Sequence, residues 1–373
     1  MALPLALAAC GGKVISEGNI HKDIGADVDA ASGEQSSSGG GSGAGTGDAG
    51  MSNPGTSGIL GSAPDAGTTP APDAATLPPP VEGGHPGRGC GLGTSCTAGG
   101  DLPAPAAADG FQIVTPPGIY TVDPAQEIFP LYCATLPNTA EFDVGTVQSW
   151  MTPGSSHELI VYQGGTPGST ATCSLGADKW LYEASIAGEI VELKMPDGVG
   201  YRLPAGTQVI LSIHFINIGT SIEHPQVKVN LLGTRNLQYT AGSMVSFNTT
   251  IDVPAASPSG PGTQTVMGTC TVPAGTNFFA IGTHTHGIAT AADVNLVSGG
   301  TSTNVVHTTD WQNPDVGVWT APPFLAVHDG DSFTYSCAYS NTGASPVTVG
   351  ETSSNEQCMA IGYYFPEGTV TCN

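Results

Sequence analysis

Positive charge is scarce in this sequence. Its 373 residues carry eight Lys and Arg against 31 Asp and Glu, a formal net charge of −23. Nucleic acids and anionic membrane surfaces are recognised through clustered cations, so neither is expected as a partner. Charged residues of both signs reach only 10%, whereas Gly (53) and Pro (30) abound, which suits short strands and tight turns better than helices. No convincing amphipathic helix is present, no C-x-x-C pair supports a zinc ribbon, and past the first residues no apolar run is long enough to span a bilayer. No G-x-S-x-G elbow occurs either. Ser156-His157-Glu158 has the residue types of a hydrolase triad, but side chains consecutive on a strand cannot relay to one another, which argues against a hydrolase.

The opening "MALPLALAACGG" is similar to a bacterial lipoprotein signal ending at a lipidated Cys10, although no Lys or Arg precedes the apolar run. The expectation is an extracytoplasmic protein, in the cell envelope or secreted, touching the membrane only through that lipid. Setting Cys10 aside leaves eight cysteines, Cys90, Cys96, Cys133, Cys173, Cys270, Cys337, Cys358 and Cys372. An even number in an exported chain favours disulfides. Residues 11–103 are low-complexity Gly, Ser, Ala, Pro and Asp, with too little apolar surface to offset ordering, and read as a flexible linker after the signal of residues 1–10.

From about Gly110 the texture changes. "AEFDVGTVQSW", "HELIVYQ", "QVILSIHFINI" and "VKVNLLG" are β-branched and aromatic runs cut by Gly and Pro, and a second set follows: "SMVSFNTTIDV", "NFFAIGTHTHG", "ADVNLVSG", "SFTYSCAYSN" and "CMAIGYYF". The fold class read from this is all-β, with two tandem antiparallel β-sandwich domains, residues 104–235 and 236–373, after the N-terminal tether.

The nine histidines are few, yet "THTHG" places His284 and His286 one residue apart. On an extended strand such side chains share a face, roughly 6–7 Å apart. Two imidazoles so placed either grip a metal ion or line a polar sheet face. Gly282 and Gly287 beside them allow a substrate or another backbone to approach closely. His307 and His328, and His21 and His85 in the linker, read as solvated. Asn248-Thr249-Thr250 satisfies a glycosylation sequon but reads as a strand end.

The stretch from Asp331 to Asn373, together with the His-x-His strand, "YCATLP", "GSSHELIVY" and "LPAGTQVILSIHF", resembles the copper type II ascorbate-dependent monooxygenases, the family of peptidylglycine α-hydroxylating and dopamine β-monooxygenases. The likeness covers about Phe111 to Asn373. It implies two jelly-roll-like sandwiches with one copper in each, facing across a solvent cleft, with molecular oxygen as co-substrate and ascorbate or a similar donor as reductant. Carried over residue by residue, His284 and His286 match the histidines of the oxygen-binding copper. Gln357 stands where the family has a methionine, and Met359 lies on the other side of Cys358. The reading places Gln357 in the ligand slot with Met359 behind or beside it, a harder donor that weakens the hold on Cu(I). In the N-terminal half, Ser156 replaces the first histidine of an adjacent pair, His157 keeps the second, and His214 fits the lone third. Glu158 and Ser156 share a strand face and offer oxygens, and His224 lies near enough in sequence to substitute, though for Glu158 and His224 ordinary polar surface is the plainer reading. The same resemblance implies disulfides Cys337–Cys358, Cys270–Cys372 and Cys133–Cys173, leaving Cys90 with Cys96.

Three functions follow. The first is a copper monooxygenase hydroxylating a C–H bond of an extracellular small molecule or peptide. The second is the same fold holding copper without turnover, and the third a cell-surface β-sandwich binding module with residual histidines. No substrate-carboxylate arginine stands out among Arg88, Arg202 and Arg235, so peptide-amide chemistry is not implied. The protein is expected to be a monomer.

Overall fold

The structure is a computed structural model and describes residues 92–164, 173–176 and 178–372. Cys10, His21, His85 and Cys90, and with Cys90 the expected bridge to Cys96, lie outside the described residues. The described chain is all strand and turn, without a helix.

The strands form four main sheets. In the first, Ser95–Ala98, Glu189–Lys194, Phe142–Met151, Val227–Gly233 and Gly110–Val114 lie in that order, and Val199–Leu203 also pairs with Phe142–Met151. The second runs Glu127–Ile128, Gln208–Ile216, Ser156–Gln163, Lys179–Ala184, with Leu131–Thr135 also on Gln208–Ile216. The third runs Gly242–Phe247, Cys358–Phe365, Asn277–Thr285, Val316–Val318, with Leu325–Ala326 beside Asn277–Thr285. The fourth runs Thr301–Thr308, Ala289–Ser298, Ser332–Asn341, Gly262–Thr271, Thr371–Cys372. Pairing is antiparallel throughout these ladders except where Tyr239–Thr240 lies parallel to Val199–Gly200. The first set of strands thus reaches Thr240 before the chain enters the third sheet.

Polar bridges between layers show how the sheets stack. Ser149 and Tyr182 hydroxyls meet at 2.8 Å between the first and second sheets. Ser246 donates to the Tyr335 hydroxyl at 2.8 Å between the third and fourth. Between second and third, the Glu183 amide donates to the Tyr363 hydroxyl (3.0 Å) and Ser243 donates to the Trp180 carbonyl (2.8 Å). The two sandwiches therefore meet through the second and third sheets. Buried Phe279, Ala280, Met359, Ile361, Tyr363 and Phe365 of the third sheet join one continuous core with Leu159, Val161, Leu181 and Tyr182 of the second. Alternating exposure, as in Ser332–Asn341, marks strands with one buried face. Cys358–Phe365 is buried along its whole length because it has a sandwich on each side.

Among the described residues, disulfides join Cys133 to Cys173, Cys270 to Cys372 and Cys337 to Cys358. Cys337–Cys358 ties the fourth sheet to the third immediately beside Met359. Bridges of this kind belong to oxidising compartments.

Two sequence expectations change here. The linker does not extend to residue 103: Ser95–Ala98 pairs with Glu189–Glu192 as an edge strand, and Leu92 is buried in the core. The composition of this stretch hides that, because one well-placed leucine and a backbone ladder suffice to order it. Leu92 also explains Gly282. A Cβ there would collide with the Leu92 side chain, so the space next to the histidine strand is filled by the protein's own leucine rather than left for a substrate. Leu92→Ala is expected to cost about 2–5 kcal/mol, the usual range for emptying a fully buried leucine site. Urea denaturation is the measurement; an unchanged midpoint would mean that the segment is not part of the folded core.

The run "SMVSFNTTIDV" is likewise not one strand. It breaks into Gly242–Phe247 and Asp252–Val253. Asn248 at the break is buried, and its side-chain nitrogen donates to the Met267 carbonyl at 2.8 Å while its oxygen accepts from Thr250.

Candidate metal centre

His157, Glu158 and Glu183 come from the second sheet, and His284 and His286 from the third, so the group is assembled where the sandwiches meet. A bulge sets its geometry on the first side. Glu158 pairs with His214 and Ser156 with Phe215, and the register slips between them, leaving His157 as the extra residue. On a regular strand His157 and Glu158 would point to opposite faces; the bulge re-aims them. On the other side Asn277–Thr285 carries His284 opposite Met359, and His286 stands just past the strand end.

The rings of His157 and His284 are 6.1 Å apart between centroids, His157 and His286 5.5 Å, and His284 and His286 5.4 Å. One ring nitrogen from each of the three lies within 4.8 Å of the others. His284 and His286 are 2% and 1% exposed, and the Nε2 atoms of both have no hydrogen-bond partner. Buried polar atoms are almost always satisfied, so two such nitrogens beside a third imidazole are what a metal ion would complete. The residues present therefore fit a metal.

The supports of His286 reinforce this. Its Nδ1 donates to the Asn355 carbonyl at 3.1 Å, which leaves Nε2 as the free lone pair. The Glu356 carboxylate accepts from the backbone amides of His286 (3.0 Å) and Ile288 (2.7 Å), fixing the turn after the strand. Burial and the neighbouring His284 hold His286 down to about 3. Burial and the three surrounding histidines hold His157 down to about 2. Both are neutral at physiological pH and ready to donate to a metal.

His284 differs. Its Nδ1 is 3.6 Å from Glu183 Oε1 and its Nε2 3.9 Å from Glu158 Oε1. Burial pulls its proton affinity down, but Glu158 and Glu183 outweigh that and raise it to about 9. Burial raises Glu158 to about 7, against the pull of His284. Both directions describe one water-poor pocket in which two carboxylates share a single imidazole and protons are retained.

Several carried-over assignments move. The expected picture of one copper per sandwich across a solvent cleft does not match this geometry: His157 joins His284 and His286 in one buried group. His214 is 5.0 Å from His157 between centroids but lies outside that group, and its Nε2 is bonded to Glu127 Oε2 at 3.0 Å. Glu127 also accepts from the Ser353 amide (3.0 Å) and the Ser353 hydroxyl, so a loop of the second sandwich is pinned over the His214 side of the first. Ser156 is part of the bulge, and its hydroxyl is buried without a hydrogen-bond partner. The Gln357 side chain donates to the Gly350 carbonyl and to Glu351, both at 3.4 Å, while the Gln357 backbone carbonyl accepts from the Tyr339 hydroxyl. Met359 is buried in the core as the ladder partner of His284. Glu158 is buried at the centre and is not polar surface.

The remaining histidines are elsewhere. His224 contacts Thr121 and the Tyr120 carbonyl, His307 pairs with Asp293, and His328 with Asp331. Glu183, Glu127 and Ser353 were not anticipated. Glu183 did have a signal, as the one acidic residue inside the apolar run Trp180–Ala184. Trp311, 6.0 Å from His157 between centroids and packed near Gly287, borders the group.

Comparison with known proteins adds a family. Residues 240–373 match the model of "Copper type II ascorbate-dependent monooxygenase, C-terminal domain". No characterised protein matches the sequence. Among solved structures, the major capsid protein P2 of bacteriophage PM2 is similar at a TM-score of 0.32 and 8% identity, over 68% of this chain and 97% of that one. The PBSX exported protein XepA is similar at 0.23 and 7%, over 70% and 89%. Likeness at such scores carries no weight for function. The family match covers the part of the chain that supplies His284, His286, Gln357 and Met359.

Proposed function

We propose that the protein is a copper-dependent oxidoreductase of the monooxygenase type, holding one copper ion between its sandwiches through His157, His284 and His286. The observation that carries this reading is the buried, unpartnered Nε2 atoms of His284 and His286 in a group where one ring nitrogen from each of His157, His284 and His286 lies within 4.8 Å of the others. Copper bound there would supply a metal that cycles between two oxidation states, as hydroxylation of a C–H bond by molecular oxygen requires when an ascorbate-type donor supplies the electrons. The protein's own residues prepare the place. Asn355 fixes the His286 tautomer, Glu356 fixes its backbone, and Glu158 and Glu183 hold a proton on His284 that must leave before that ring can ligate. The substrate class proposed is an extracellular small molecule or peptide. The location proposed is extracytoplasmic, with a lipid on Cys10, for which the disulfides are the supporting observation.

A second reading, copper holding without turnover, is favoured by one feature. His214 Nε2 is engaged by Glu127, so the first sandwich brings a single histidine to the group. A lone copper lacks a partner centre to store the second electron.

The test is copper content of the purified full-length chain after reduction with ascorbate, for wild type, His157→Ala and His286→Ala. One copper per chain is expected, with loss in both variants. Equal retention in His157→Ala would overturn the shared site, since that residue comes from the other sandwich. Oxygen uptake under ascorbate then separates the two readings.

A further inference from the structure

A second group of potential ligands adjoins the histidines. One carboxylate oxygen from each of Glu158 and Glu183 and one ring nitrogen of His284 lie within 4.8 Å of one another. Glu183 is fully buried (0% exposed), and neither of its carboxylate oxygens has a hydrogen-bond partner. At 3.6 Å its approach to His284 Nδ1 is too long for a hydrogen bond. Glu158 is 7% exposed. Among the described residues the Lys and Arg ion pairs lie elsewhere, Lys179 with Glu367, Arg202 with Glu141 and Asp143, Lys228 with Asp101. Two buried carboxyl groups beside one imidazole, in a place sealed from water, can give up their protons only if a cation takes the protons' place. A divalent cation between them makes the sum neutral and satisfies oxygens that nothing else satisfies.

We propose that Glu158, Glu183 and His284 form a second, oxygen-rich cation site that takes a hard or borderline divalent ion of the Mn2+ or Zn2+ class. Two carboxylate oxygens and one imidazole nitrogen suit such ions and disfavour Cu(I), which prefers the nitrogen-only group beside it. His284 belongs to both groups, its two nitrogens facing different carboxylates. The site goes beyond the copper reading and stands without it, because His157 and His286 take no part.

The experiment is Mn2+ titration of the full-length, chelator-stripped protein, read by loss of the free-ion electron paramagnetic resonance signal. Cu(I) binding is measured in parallel by competition with a chromogenic chelator. Wild type is expected to bind one Mn2+ per chain. Glu183→Gln and Glu158→Gln, near-isosteric changes whose folding is checked by circular dichroism, should each weaken Mn2+ at least tenfold. His286→Ala should leave Mn2+ within threefold of wild type while losing Cu(I). No Mn2+ binding by wild type, or Mn2+ binding unchanged in both glutamine variants, would overturn the proposal. So would Mn2+ binding lost in His286→Ala, since the ion would then sit among the histidines. Failure of the copper reading appears separately, as absent Cu(I) binding in wild type.

Discussion

His284→Ala is expected to destabilise the metal-free protein by about 3 kcal/mol near pH 6, and by progressively less as the pH rises through 9. His284 is buried, and its ordinary pKa of 6.5 is raised to about 9 because Glu158 and Glu183 more than offset its burial. A group whose folded pKa is raised stabilises the fold fully below the unfolded value and ceases to do so above the folded one. A rise of that size corresponds to about 3 kcal/mol at about 1.4 kcal/mol per pH unit. The window is therefore pH 6.5 to 9. Below it, among the described residues, the imidazolium is the cation beside Glu158 and Glu183, and alanine removes that counter-charge. Urea denaturation in a chelator at pH 6, 7.5 and 9.5 measures it. Equal losses at the two extremes would show that the histidine is held by packing alone and that its charge does not matter.

Loading the metal should have the largest effect on melting. With free Cu(I) about a thousandfold above its dissociation constant, linkage adds about 4 kcal/mol to the folded state. For an ordered region of this size, about 2–4 °C accompanies each kcal/mol, so the copper-loaded protein should melt roughly 10 °C above the stripped one. The gain should vanish in His157→Ala as fully as in His286→Ala, because the ion would join the two sandwiches and each supplies ligands. Scanning calorimetry with and without copper under ascorbate is the measurement. A shift that survives His157→Ala would confine the metal to the C-terminal sandwich. Glu183→Gln should leave the Cu(I) shift in place, which separates the two groups.

Much of the architecture was legible because alternation and β-branched runs are local signals. Phe142–Met151, Ser156–Gln163, Val227–Gly233 and Ser332–Asn341 fall where those signals place strands. His284 and His286 were legible too, since two histidines one residue apart in a histidine-poor chain need no partner to be noticed. What escaped was non-local. His157 reaches the group because a bulge inserts it, and no composition or spacing announces a bulge. Glu183 reaches His284 because two sheets stack, a contact between residues about a hundred apart. His214 matches a ligand pattern, yet Glu127 takes its Nε2, and nothing in the sequence joins those positions before the Glu127–Ile128 strand pairs with the end of Gln208–Ile216. Leu92 was lost in a Gly-rich stretch for a related reason: its place is decided by a vacancy on another strand.

That leucine has a mechanical consequence. It rests in the notch left by Gly282, two residues ahead of His284, so the start of the described chain is latched to the strand that presents the ring. A pull on the N-terminal side of Leu92 would be delivered there first, whereas a cut just after it would free the strand from that load and open the notch.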